Sequence, residues 1–81
     1  MMNQRDAQDL IYQYRAETRR VYGDDAALLL GMEYRRGWWH MWLPTWAGSR
    51  WEYNPVHCCW RTSDVRASLA RLRAMKAEGE I

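Results

Sequence analysis

The sequence predicts a single α+β domain, an antiparallel three-stranded sheet with two helices in the order α-β-β-β-α. Three observations lead there. Each end of the chain carries an apolar stripe at helical spacing. In the middle the period changes to two, the pattern of half-buried strands. Gly and Pro then punctuate the joins between these segments. Eighty-one residues give room for one domain, 1–81, with fraying expected at 1–3 and 78–81.

The first helix is expected at about residues 4–22. Asn3 is placed to cap it and Asp6 lies in the first turn, favourable near the positive end of the helix dipole. Ala7, Leu10, Ile11, Tyr14, Thr18 and Val21 recur every three or four residues and form its buried stripe, and Gly23 stops it.

From Ala27 the period becomes two. Leu28, Leu30, Met32 and Tyr34 alternate with Leu29, Gly31, Glu33 and Arg35, the pattern of a half-buried strand. A short second helix capped by Asp24 or Asp25 is the rival, because Ala26 to Leu30 are good helix formers. Arg36-Gly37 reads as a hairpin turn. The second strand, Trp38 to Leu43, divides Trp39, Met41 and Leu43 from Trp38, His40 and Trp42, and Pro44 ends it. A third strand starts near Arg50, bends at Asn54-Pro55 and resumes from Val56 to Trp60. Thr62 or Ser63 then caps a last helix with the stripe Val65, Leu69, Leu72 and Met75.

The formal net charge is +2, unevenly spread. Arg61, Arg66, Arg71 and Arg73 stand against Asp64 alone, whereas the first helical region is nearly balanced. A dedicated nucleic-acid binder would carry a stronger basic stripe. No apolar run approaches the roughly 20 residues of a membrane span, and the N-terminus lacks the apolar run of a signal peptide. A cytoplasmic protein with no membrane partner is expected.

The two His and two Cys match the inventory of a structural zinc site, but Cys58 and Cys59 are adjacent, and neighbouring strand residues point to opposite faces. No metal and no cofactor are expected. Cys59 and His40 become cross-strand neighbours in one register, yet a nucleophilic trio cannot be assembled from sequence, and so short a chain offers little wall for a pocket of roughly 300–1,000 Å³. No catalytic residue is assigned and a non-enzyme is expected.

Two surfaces remain as candidates for partner binding. Tyr12 lies opposite the buried stripe of the first helix, with Arg15 and Arg19 beside it. Trp38, His40 and Trp42 form the sheet row facing away from the helices, if both helices pack on one side. Aromatic and Arg side chains are enriched at binding hot spots. The same row suits stacking of single-stranded bases. Two helices cannot cover both faces of a sheet with large rings on each, so a homodimer is also expected.

The element order is similar to that of double-stranded-RNA-binding domains. That family reads phosphates with a lysine-rich start to its last helix, and Thr62-Ser63-Asp64-Val65-Arg66 has no Lys and includes an acid, so RNA recognition is not carried over. The run Gly37-Trp38-Trp39-His40-Met41-Trp42-Leu43-Pro44, followed by Thr62-Ser63-Asp64-Val65-Arg66, resembles in style the small phage and mobile-element proteins of the anti-CRISPR kind. That resemblance implies a non-enzymatic protein that blocks a host protein or nucleoprotein complex by steric binding, and it transfers no site residues. A small nucleic-acid-binding protein is the alternative.

Overall fold

The computed structural model describes residues 2–77. Its elements are α1 (Gln4–Tyr22), α2 (Asp24–Leu29), β1 (Gly31–Arg35), β2 (Trp38–Trp42), β3 (Thr45–Trp46), β4 (Trp51–Glu52), β5 (Cys58–Trp60) and α3 (Thr62–Ala74). The main sheet is antiparallel in the order β1-β2-β5, and β3 with β4 forms a separate two-stranded ribbon. The fold is therefore α+β with a three-stranded antiparallel sheet, as the periodicities predict. A short helix and a ribbon are added to the expected order.

α1 follows the sequence closely. The Asn3 side chain accepts from Asp6 N at 2.8 Å, and Gly23 ends the helix at φ 98°, a left-handed value that favours Gly. Ala7, Leu10, Tyr14, Thr18 and Val21 are buried, with Ile11 half-buried beside them. Of the N-terminal residues expected to fray, Asn3 makes this cap and Met2 packs against the core. Met1 and residues 78–81 lie outside the described residues.

The strand expected from Ala27 begins later, at Gly31. The chain first makes α2, the rival reading, because Ala26 and Ala27 bury completely against α1. Leu28, expected inside, is 76% exposed as a result. The α2 end is held by Arg15, whose guanidinium donates to the carbonyls of Ala27 and Leu30. From Leu30 onward the alternation holds, with Leu30, Met32 and Tyr34 against the core. Arg36 at φ 53° and Gly37 at φ 82° make the two-residue turn with positive φ at both positions, which matches strand twist.

The expected third strand is split between two sheets. Trp51–Glu52 pairs with Thr45–Trp46, and Cys58–Trp60 pairs with β2. Between them the Asn54 side chain accepts from Val56 N at 3.0 Å, a local turn that redirects the chain. Residues 47–50 close the ribbon, with Ala47 N donating to Arg50 O at 2.9 Å.

α3 starts one residue before its expected caps could act. Arg61 is the N-cap, its N–H donating to the Asp64 carboxylate at 3.1 Å while its carbonyl accepts from Asp64 N at 3.0 Å. Thr62 has a different job: its hydroxyl accepts from Trp39 Nε1 at 3.0 Å, satisfying the indole of a fully buried ring. Val65, Leu69 and Leu72 are buried. Met75 lies beyond the last helical residue and is 40% exposed, so it leaves the expected stripe.

The core gathers α1, α3 and one face of the main sheet around Trp39 and Met41. Arg20 from α1 donates to the carbonyls of Leu72 and Met75 at 2.8 Å each. Two arginines of α1 thus cap the C-terminal ends of the other two helices, where carbonyls lack intrahelical donors.

Candidate functional site: the outer face of the main sheet

β2 reads Trp38-Trp39-His40-Met41-Trp42, and alternation assigns every second residue to each face. Trp39 and Met41 go inward. The outward row is Trp38, His40 and Trp42, as expected from sequence. The ladder sets their neighbours. On β1, Arg35 stands opposite Trp38, Glu33 opposite His40 and Gly31 opposite Trp42. On β5, Cys59 stands opposite His40.

Three contacts organise this face. The Arg61 guanidinium lies 5.4 Å from the Trp38 ring centre, within reach of a cation–π contact. Trp42 lies across Gly31, where an added Cβ would meet the indole at 3.1 Å, so Gly is the residue that admits the ring. On its other side Trp42 meets the His57 ring, with centres 5.0 Å apart and planes 25° apart.

At the centre, His40 Nδ1 and His57 Nε2 are 2.6 Å apart. Their ring centres are 4.8 Å apart and their planes differ by 8°. Face-to-face stacking would hold the nitrogens farther apart than a hydrogen bond allows, so the rings meet edge to edge, nitrogen to nitrogen. Cys59 Sγ lies 3.8 Å from His40 Nδ1 and 3.6 Å from His57 Nε2. His57 and Cys59 are exposed and His40 is half-buried.

Cys58 and Cys59 do not face one site, because Cys58 packs towards the core and Cys59 faces out. Cys59 alone joins the two histidines, a grouping that the sequence reading missed. His57 and Cys59 are two apart, hence on one side of the chain, and the β2–β5 register adds His40. The signal was present as His-x-Cys facing a His across a strand, but it depends on a register that sequence alone leaves open.

The α1 candidates are placed differently. Tyr12 is 77% exposed. Arg19 is exposed and pairs with Asp24 at 3.3 Å. Arg15 turns inward to the α2 carbonyls, so its guanidinium is committed within the fold. The structure brings Trp38, His40 and Trp42 together on one face and leaves the α1 patch with Tyr12 and Arg19.

A concavity lies on the opposite side of the sheet. It encloses about 340 Å³ among α1, α3 and the ribbon, with Trp51 and Trp60 in its wall and Tyr14, Ser68 and Arg71 as polar groups. That is more space than the chain length suggests. Among the described residues that line it, none is His, Cys, Asp or Glu. The Tyr14 and Ser68 hydroxyls are 2.8 Å apart, and burial pushes the Tyr14 phenol above its ordinary pKa.

No protein-family model, curated protein or solved structure matches the chain. Among the described residues, no helix is long and apolar enough to cross a membrane.

Proposed function

We propose that the chain is a non-enzymatic protein-binding module that contacts its partner through the outer sheet face. The observation that carries this reading is the exposure of that face. α1 and α3 pack on the side of Trp39 and Met41, while Trp38 keeps 44% of its surface in solvent amid His40, Trp42 and Arg61. A large ring flanked by Arg is the composition of an interface hot spot.

The likeness in size and in the Trp-rich hairpin to small phage and mobile-element proteins supports a narrower form. In it, the module inhibits a host protein or nucleoprotein machine by occupying its surface, in the manner of anti-CRISPR proteins. A second copy of the chain is another partner that would cover the same rings. Nucleic acid is the alternative, supported by Arg35 and Arg61 on either side of Trp38 and by the stacking capacity of indoles.

Capture of partners on the immobilised chain, eluted with rising salt, tests the reading. An aromatic interface weakens little with salt, whereas phosphate-driven binding falls steeply. Trp38→Ala with Trp42→Ala should weaken capture by roughly thirtyfold or more, about 2 kcal/mol, with the fold kept. Sedimentation at high micromolar concentration decides the dimer, and a monomer there counts against it. Retention on nucleic acid that is tight and strongly salt-dependent would transfer the reading to the alternative.

A further inference from the structure

We propose that His40, His57 and Cys59 form a binding site for a borderline-soft transition-metal ion, with Zn²⁺ as the ion to test. This inference is independent of the protein-binding reading. It rests on one cluster in which Nδ1 of His40, Nε2 of His57 and Sγ of Cys59 all lie within 4.8 Å of one another.

The distances match coordination more closely than chance proximity requires. Zinc takes nitrogen at about 2.0 Å and thiolate sulfur at about 2.3 Å, so a tetrahedral ion spaces nitrogen from sulfur by about 3.5 Å and nitrogen from nitrogen by about 3.3 Å. The two nitrogen–sulfur edges, 3.6 and 3.8 Å, are already close to that spacing. The nitrogen–nitrogen edge, 2.6 Å, must open by roughly 0.7 Å to admit the ion. Because the rings meet edge to edge, the facing nitrogens point at each other, and the rings must tilt as well as separate to bring both lone pairs to one tetrahedral ion.

The backbone organises this triangle. His40 and Cys59 are held opposite each other by the β2–β5 ladder. His57 precedes β5 by one residue and is backed by the Trp42 ring. Two of the three ligands are exposed, which gives an ion direct access and leaves a fourth position to water. Two imidazoles with one thiolate select zinc or copper over magnesium or calcium, which take oxygen ligands. In the alternative, the two rings share one hydrogen bond, Cys59 is a bystander, and no metal is held.

The test is titration of the reduced full chain with Zn²⁺ against a chromophoric competitor, and with Co²⁺ followed by absorption. One Zn²⁺ per chain is expected, together with a Co²⁺ spectrum carrying a thiolate charge-transfer band. Cys59→Ser should abolish the band. Cys59→Ser and His57→Ala should each weaken Zn²⁺ binding by roughly tenfold or more. Both positions are exposed, so circular dichroism of the variants should match that of the parent chain. Cys58→Ala should retain both the band and the affinity. Zn²⁺ affinity unchanged in Cys59→Ser, or a Co²⁺ spectrum without thiolate character, overturns the proposal.

Discussion

Trp38 and Trp39 are neighbours in sequence with opposite environments. Trp39 has no exposed surface and its indole N–H is satisfied by Thr62. Trp38 keeps 44% of its surface in solvent and rests against an exposed Arg61. The same contrast runs across the sheet. Met32, Tyr34, Met41, Cys58 and Trp60 turn towards the helices, while Glu33, His40, Trp42 and Cys59 stand on the other side. Hydrophobicity therefore does not decide which tryptophan is core; position in a two-residue period relative to the helices does. An aromatic-rich strand thus supplies both a core and an outward aromatic row.

The sharpest way to break that contrast is to truncate each ring. Trp39→Ala should cost about 3–5 kcal/mol, since it leaves a large cavity and removes the indole bond to Thr62. In so small a domain that loss is expected to unfold most of the population at ambient temperature. Urea or thermal unfolding checks it. A shift at Trp38→Ala as large as at Trp39→Ala would show that both faces are structural.

The inner face was legible from sequence because its signal is periodic. The α1 stripe, the Trp39 and Met41 pair and the Val65, Leu69 and Leu72 series all follow from spacing. The misreadings arise where the local period is overridden. Leu28 fits a strand pattern, but burial of Ala26 and Ala27 against α1 and the reach of Arg15 favour a helical turn there. Met75 fits the α3 stripe, but the helix ends before it. Trp51 leaves the main sheet to meet Tyr22, with ring centres 5.4 Å apart. At the candidate site, Trp38, His40 and Trp42 were placed by alternation. His57 and Cys59 join them through a strand register that no local pattern encodes.

Arginine sharpens the comparison at intermediate size, because α1 carries both structural and surface arginines. Arg15→Ala removes two bonds from a charged donor to part-buried carbonyls, and a loss of about 2 kcal/mol is expected. Arg20→Ala should cost less, about 1 kcal/mol, because that side chain is more open to water. Chemical denaturation of the two variants checks the order. A neutral Arg15→Ala would return that residue to the surface patch.

A buried phenol gives the core a signature in alkali. Burial raises the Tyr14 pKa, partly offset by its bond with Ser68. The folded state therefore holds the proton to higher pH than the unfolded chain, whose phenol ionises near 10. Stability from this group is complete below that pH and is lost as pH rises towards the folded value. Tyr14→Phe should remove this part of the alkaline loss, while costing about 1 kcal/mol at neutral pH for the missing hydrogen bond. Thermal melts at neutral and alkaline pH measure both. An alkaline decline equally steep in Tyr14→Phe would assign it elsewhere.

The smallest effect is expected at the α1 surface, where Tyr12 and Arg19 offer a rival to the sheet face. Tyr12 is 77% exposed and Arg19 meets Asp24 only at the surface. Neither lies on the buried stripe, so Tyr12→Ala with Arg19→Glu should change stability by no more than about 0.5 kcal/mol. That neutrality makes the pair a clean probe of binding. If the outer sheet face holds the partner, this double variant captures it as well as the parent chain, and Trp38→Ala with Trp42→Ala does not. The reverse result would move the interface to α1, leaving the tryptophan row to another role such as self-association. Capture at equal strength by both folded double variants would place the contact on neither surface, and the apolar concavity lined by Trp51 and Trp60 would be the next surface to mutate.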